Sequence, residues 1–319
     1  MDMLREMPGY RSTRVYLAPS PSPSLRELGR GVVGAFWRAR GHDLLHVHGE
    51  VAGGLCLPLL GARTSVVTLH GLHLLRRLSG PRRRAAAHSL RLIVRASDRT
   101  ICVSTAEHDS LLAAGVAEQR TVVVHNGVKL PTSEAERAKV RTELGISESD
   151  PVGIWIGSLD ERKDPLAAVR AAEKAEVVLL VVGDGPLRRE VEQAAEERVR
   201  VLGHRDDVSR LLQAADFFVL TSRREGLAYS LLEAMSYGLP AVVTDLAENV
   251  EAVGDTGVVV PLRDQVTMAS AIRRLAENAD ERTALGERAR RRIDQLFNAD
   301  QMIARTRAVY DQVLAARLT

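Results

Sequence analysis

The chain has only two cysteines in 319 residues, and aromatic side chains make up 3% of it. Cys56 and Cys102 sit in apolar settings and belong to no metal-spacing cluster, so a disulfide framework and a cysteine metal site are excluded. Buried, reduced thiols of a cytoplasmic protein are the expectation. No apolar run approaches the roughly 20 residues of a membrane span. The nearest, 51–62, is too short. The first residues carry Asp2, Arg5 and Glu6 around no apolar core, so no secretory signal is expected. Solenoid periodicity is missing as well. At 45% hydrophobic and 27% charged, the sequence is that of a globular protein with length enough for two domains, each with its own core.

The net charge of +3 hides an asymmetry. Residues 1–130 hold 18 Lys/Arg against nine Asp/Glu, and the remainder 26 against 32. The basic excess concentrates at 76–99, where Arg76, Arg77, Arg82, Arg83, Arg84, Arg91 and Arg95 interleave with leucines, Ile93 and Val94. Such an amphipathic helix either rests on an anionic membrane surface or is a solvated face. No aromatic platform accompanies the arginines, which argues against nucleic acid.

Short β-branched runs alternate with amphipathic stretches, the pattern of parallel sheets covered by helices. Strands are predicted at 15–17, 44–47, 65–69, 100–103 and 121–124, then at 152–156, 177–182, 199–202, 217–220, 241–243 and 257–260. Alternate prolines from Pro19 to Pro23 dictate a loop. Helices are predicted at 134–144 and 300–314. The last carries Met302, Ile303, Val309, Tyr310 and Val313 at helical spacing.

The densest chemistry lies at 221–240. The strand at 217–220 runs into a loop carrying Glu225, and a helix beginning near Ser230 carries Glu233 in its first turn. Free N–H groups and the positive end of a helix dipole suit a phosphate. Two carboxylates suit sugar hydroxyls. Lys163, just after the strand at 152–156, is either a basic anchor for that phosphate or an exposed loop lysine. Gly183-Asp184-Gly185-Pro186 is a turn signal. His70 ends a strand in Thr68-Leu69-His70-Gly71, while His46 and His48 alternate on one side of another and read as structural or cleft-lining. No second group completes a metal site around them, so metal-independent chemistry is expected.

The segment from Ala215-Asp216 through Glu225 and Glu233 to Gly238-Leu239-Pro240 resembles the carboxyl-terminal signature of glycosyltransferase family 4. The resemblance implies an α/β, GT-B-like fold with two Rossmann-like domains whose parallel sheets face a cleft. Residues 1–130 would form a shortened acceptor-side domain, joined by the carboxyl-terminal helix 300–319. Residues 131–299 would bind the nucleotide sugar. It further implies a retaining, metal-independent hexosyl transfer with no cofactor. The donor would be UDP-, GDP- or ADP-linked and the acceptor a glycan, lipid or small molecule. Catalytic roles fall on His70, Lys163 and Glu225. Donor contacts fall on Gly157, Ser158, Gly183, Gly185, Leu202, His204, Glu233 and the backbone of Ser230, Leu231 and Leu232. Ser104-Thr105 and Asn126-Gly127 match positions lining the cleft and hinge.

Three departures stand out. Ser158 replaces an arginine common five residues before the lysine, supplying one hydrogen bond but no charge. Ala228 replaces a glycine three positions after the first glutamate. The opening strand and Gly-Gly loop of the family have no counterpart, and by ordinary domain size roughly 70 residues are expected to be missing. A late start codon, a truncated gene or a shortened domain completed by another chain would each account for that. The segment 15–17 is then expected to pair beside 44–47, in a sheet of at most five strands prone to self-association or needing a partner. Two readings of function follow: a transferase, or a weakly catalytic donor-binding subunit dependent on a partner chain. An epimerase or phosphorylase fits the Glu225–Glu233 frame less well. The location expected is the cytoplasm, with the inner membrane face as an option.

Overall fold

The computed structural model describes residues 7, 9–17, 25–132 and 136–317. It consists of two compact units, one ending at Asn126 and resuming at Ala299, the other Gly127–Asn298. The expected proline loop, and Glu134 and Ala135 of the expected helix at 134–144, lie outside the described residues.

The first unit runs α1 (Leu25–Ala39), β1 (Leu45–His48), α2 (Glu50–Leu55), α3 (Leu57–Ala62), β2 (Ser65–Thr68), α4 (His73–Arg77), α5 (Gly80–Ala96), β3 (Arg99–Cys102), α6 (Thr105–Ala113) and β4 (Thr121–Val123). The four strands form one parallel sheet in the order β1-β2-β3-β4. Successive side chains on a strand point to opposite faces, and the core divides accordingly. Val67 and Cys102 join Ala35, Leu60, Leu90 and Ile93 under α1, α3 and α5. Val66 and Ile101 face the other way, onto Val309, Tyr310 and Val313. Those three belong to the final helix, which therefore covers the second face of this sheet.

The segment 15–17 is not a strand. Val15 and Leu17 pack on the α5-side core through their side chains, and Tyr16 is 67% exposed. The Leu17 carbonyl lies 1.9 Å from where a Cβ on Gly31 would stand, so this chain presses on the backbone of α1 instead of pairing with β1. Val15 and Leu17 face inward and Tyr16 outward, as on a strand, but a helix supplies the packing partner. The basic stretch is likewise two helices, α4 and α5, interrupted at Leu78 and Ser79.

The second unit runs α7 (Arg137–Glu143), β5 (Val152–Ile156), α8 (Pro165–Ala175), β6 (Val178–Val182), α9 (Arg188–Ala194), β7 (Val199–Gly203), α10 (Val208–Ala214), β8 (Phe217–Leu220), α11 (Tyr229–Ser236), β9 (Ala241–Thr244), α12 (Ala247–Val253), β10 (Gly257–Val260), α13 (Gln265–Glu277) and α14 (Ala279–Leu296); the final helix of the first unit is α15 (Ala299–Ala315). All six strands are parallel, in the order β10-β9-β8-β5-β6-β7. The helices α8 and α13 cover one face over Trp155, Leu179, Val181 and Val219. The alternating residues Ile154, Leu180, Phe218 and Val243 are buried as well. Both faces are thus covered, as a parallel sheet requires.

Chain order reverses between β5 and β8, which are neighbours in the sheet. In open α/β sheets, the crevice beyond the carboxyl ends of such a strand pair is where ligands bind. Asp216, just ahead of β8, is fixed by Arg141, which is fully buried. That guanidinium donates to the Asp216 carboxylate at 2.7 Å and to the carbonyls of Ala214, Ser147, Glu148 and Asp150. Asp216 also accepts from the Val152 N–H at 2.7 Å, tying the start of β5 to the start of β8.

Candidate functional site

Beyond β5 the chain makes a tight turn. Asp160 Oδ1 accepts from the N–H groups of Arg162 and Lys163, at 2.9 and 3.0 Å. Asp164 takes a left-handed conformation, φ 48°, before α8 begins at Pro165. Thr221, beyond β8, clamps this turn. Its hydroxyl accepts from Trp155 Nε1 at 3.1 Å and donates to the Asp164 carbonyl at 2.8 Å. Lys163 is thereby aimed at the loop after β8, where its Nζ lies 2.5 Å from Glu225 Oε1. The side chains are 12% and 4% exposed.

Ser222 Oγ donates to the same Oε1, also at 2.5 Å. The Ser222 carbonyl accepts from Thr244 Oγ1 at 2.6 Å, and Asn249 Nδ2 donates to the Thr244 carbonyl at 3.0 Å. The carboxylate is therefore held by a buried chain of side chains reaching into β9 and α12. Sequence reasoning passed over Ser222, although its place three residues before Glu225 in the motif was a usable signal. It passed over Arg224 too, a half-buried neighbour of Glu225 whose Nε has no hydrogen-bond partner among the described residues.

The helix α11 begins at Tyr229, next to the expected Ser230, with Ala228 as its N-cap. The N–H groups of Ser230 and Leu231 fall in its first turn and have no acceptor within the helix. Leu232 is different from expectation: its N–H donates to the Ala228 carbonyl at 3.2 Å. The side chains of Leu231 and Leu232 are buried in the core. Glu233 lies one turn into the helix, not in its first turn, and its side chain is exposed. Crowding by surrounding protein raises its carboxyl above the ordinary value.

The glycines place main chain against main chain beside this loop. The Gly157 N–H donates to the Val182 carbonyl and the Gly183 N–H to that of Gly203. Gly183 has φ 137°, and a Cβ there would stand 1.8 Å from the Gly157 carbonyl oxygen. A Cβ on Gly185 would stand 2.6 Å from the Leu159 carbonyl oxygen. Ser158 is exposed. Arg162 lies 3.6 Å from Asp160, so its charge is directed at that carboxylate. Leu202 is half-buried at the end of β7, and His204 just beyond is 75% exposed, 3.4 Å from Asp206.

In the first unit, β1 and β2 bring three histidines together. His48 Nδ1 and His70 Nε2 are 2.8 Å apart, and the His46 and His48 ring centres 4.0 Å. His46 is held by Tyr310 Oη at 2.5 Å and Thr68 Oγ1 at 2.8 Å. His70 has φ 60°, and the Gly71 N–H that follows donates to the buried Glu107, which also accepts from the Val103 N–H at 2.7 Å. Burial, then the neighbouring imidazole and Arg14, pushes His48 down to about 4; burial and then His73 push His70 to about 4. Both rings are therefore neutral near pH 7. Among the described residues, no group of three or more His, Cys, Asp or Glu side chains is disposed to hold a metal ion, and no helix is long and apolar enough to cross a membrane.

A family model described as glycosyl transferases group 1 matches residues 150–278. A second, Glycosyltransferase Family 4, matches residues 3–131. The chain belongs to glycosyltransferase family 4. This glycosyltransferase is 28% identical over 289 residues to the N-acetyl-alpha-D-glucosaminyl L-malate synthase of Bacillus anthracis, a match spanning 85% of this chain and 75% of that protein. It is 25% identical over 264 residues to the UDP-Gal:alpha-D-GlcNAc-diphosphoundecaprenol alpha-1,3-galactosyltransferase of Escherichia coli, spanning 74% and 67% of the two. Among solved structures, HepE of Anabaena in complex with UDP-glucose superposes with a TM-score of 0.78 at 23% identity, over 90% of this chain and 84% of that one. The α/β architecture with two parallel sheets is thus GT-B. Family membership makes the glycosyltransferase an enzyme of sugar transfer from nucleotide-sugar donors. The alternative, a weakly catalytic donor-binding or regulatory subunit dependent on a partner chain, is not favoured, since matches fall in both units.

Proposed function

We propose that this glycosyltransferase transfers a sugar from a nucleoside-diphosphate donor with retention of anomeric configuration, without a metal ion. The observation that carries the reading is the Lys163–Glu225 pair at the carboxyl ends of β5 and β8, beside the open N–H groups of α11. On donor binding, Lys163 Nζ turns from the carboxylate to the diphosphate and, with the N–H groups of Ser230 and Leu231, offsets charge growing on the leaving group. Fixed cations and N–H donors at a developing oxyanion are worth several kcal/mol. Glu225 is then available to the sugar hydroxyls and Glu233 to the ribose. The close-packed glycines Gly157, Gly183 and Gly185 let donor approach main chain, and Leu202 and His204 border the base. His70, neutral and held by His48, is assigned to the reacting centre on its strand-end motif.

The names of the Escherichia coli relative and of HepE's ligand favour UDP as carrier over GDP or ADP. The two curated relatives' names divide on the acceptor, malate in one and a lipid-linked sugar in the other. The arginines exposed on α4 and α5 support a cytoplasmic enzyme that visits an anionic membrane face. Calorimetric titration with UDP, GDP and ADP tests the donor site. Losing one charge-assisted contact costs about 1.5–3 kcal/mol, so Lys163→Ala and Glu233→Ala should each weaken binding roughly tenfold or more. Wild-type affinity in both variants sinks the placement, and a product of inverted anomeric configuration by NMR sinks the retaining assignment.

A further inference from the structure

The helix α1 is apolar on two sides. Ala35 and Ala39 are buried against the first unit's core. On the opposite side, at intervals of three and four residues, stand Arg26, Arg30, Val33, Trp37 and, just past the helix end, Arg40. Val33 is 57%, Phe36 42% and Trp37 60% exposed. The chain contains just two tryptophans and four phenylalanines, and the remaining Trp155, Phe217, Phe218 and Phe297 are buried. The tryptophans and phenylalanines are thus spent on the core, except for two adjacent ones left in solvent. Arg40 lies over both rings, 4.8 Å from the centre of Phe36 and 4.2 Å from that of Trp37. Among the described residues, Arg26, Arg30, Arg38 and Arg40 form no ion pair.

We infer that this face of α1 seats on the surface of an anionic lipid bilayer, with Trp37 and Phe36 entering the headgroup region and the arginines contacting lipid phosphates. An amphipathic helix with aromatics between arginines has the composition of an in-plane interfacial helix. Charge decides among occupants. A second copy docked face to face would set three arginines against three. The α5 arginines Arg82, Arg83, Arg84, Arg91 and Arg95 are exposed on a helix packed on the same core as α1. One extended anionic surface complements both helices. The inference does not rest on the sugar-transfer reading, and fails separately from it.

The two tryptophans make the test direct, because Trp155 is fully buried and the exposed Trp37 reports α1. With vesicles of phosphatidylglycerol and phosphatidylcholine, Trp37 emission should shift to the blue and acrylamide quenching should fall. Pure phosphatidylcholine should leave both unchanged. Trp37→Ala should lower vesicle partitioning about tenfold, and Arg30→Gln or Arg40→Gln about fivefold each, from the worth of one arginine near an anionic surface. Turnover on a soluble acceptor should be unaltered in these variants. Three results would overturn the inference: no binding to anionic vesicles; binding with Trp37 emission and quenching unchanged, which would move the contact to another surface; or self-association by light scattering that Trp37→Ala abolishes.

Discussion

Replacing Lys163 by Met isolates the cost of removing the cation that faces a buried carboxylate at the centre of the candidate donor site. Two unit charges 2.5 Å apart attract by about 7 kcal/mol at an effective dielectric constant of ~20. Desolvation offsets part of that in the intact pair, but removing one partner leaves the other's charge buried without its counter-ion, at about 3–5 kcal/mol. Glu225, at 4% exposure, is pinned by Ser222 and cannot turn to water, whereas Lys163 has a long stem and is 12% exposed. Lys163→Met should therefore destabilise the second unit by about 3–5 kcal/mol, and Glu225→Gln by less. The double variant should recover much of the loss. Urea unfolding followed by Trp155 emission in a Trp37→Phe background reads this directly, since the Trp155 indole bonds the threonine that clamps the Lys163 turn. A cost below about 1 kcal/mol for Lys163→Met, the range of exposed pairs, would show that Glu225 rehydrates and refute the argument.

Ser222→Ala removes one charge-assisted bond to Glu225, so kcat/KM should fall about tenfold or more, with Ser222→Thr restoring most of it; an unchanged value would remove Ser222 from the positioning chain. Gly183→Ala drives a Cβ into the Gly157 carbonyl, and should cost about 1–3 kcal/mol together with UDP binding by calorimetry. His48 and His70 take up protons near pH 4 in the folded chain, below the ordinary 6.5. The unfolded chain binds protons first as pH drops, so stability complete above pH 6.5 is lost as pH falls toward 4. For one histidine of this coupled pair the loss is about 3 kcal/mol. NMR titration of the ring protons with midpoints near 6.5 would contradict this.

Ten strands were readable from the sequence to within a residue or two, because a strand buried on both faces must be a short β-branched run wherever it occurs. The meeting of Lys163 and Glu225 was readable in part because each follows such a run. What escaped was set by tertiary partners. Segment 15–17 has a strand's alternation but packs on the bare backbone at Gly31. Arg141, Glu107 and Ser222 look like surface residues in sequence, and only the surrounding carbonyls and N–H groups make their burial affordable. Leu232 was assigned a free N–H because the helix start was placed one residue too late, and one residue decides which donor is already used.

The reversal of chain order between β5 and β8 also has a consequence in time. As the chain is synthesised, β5, β6 and β7 emerge together, and Phe217–Leu220 arrives only after them, on the far side of β5. Until then one edge of an apolar central strand has no neighbour, and such edges invite pairing with other chains. The same late event brings Asp216 to Arg141 and Glu225 to Lys163, joining residues 75 and 62 positions apart. Both pairs are thus made only when the central strand is closed, and a nascent chain halted before residue 217 would lack them and leave that strand edge open to aggregation.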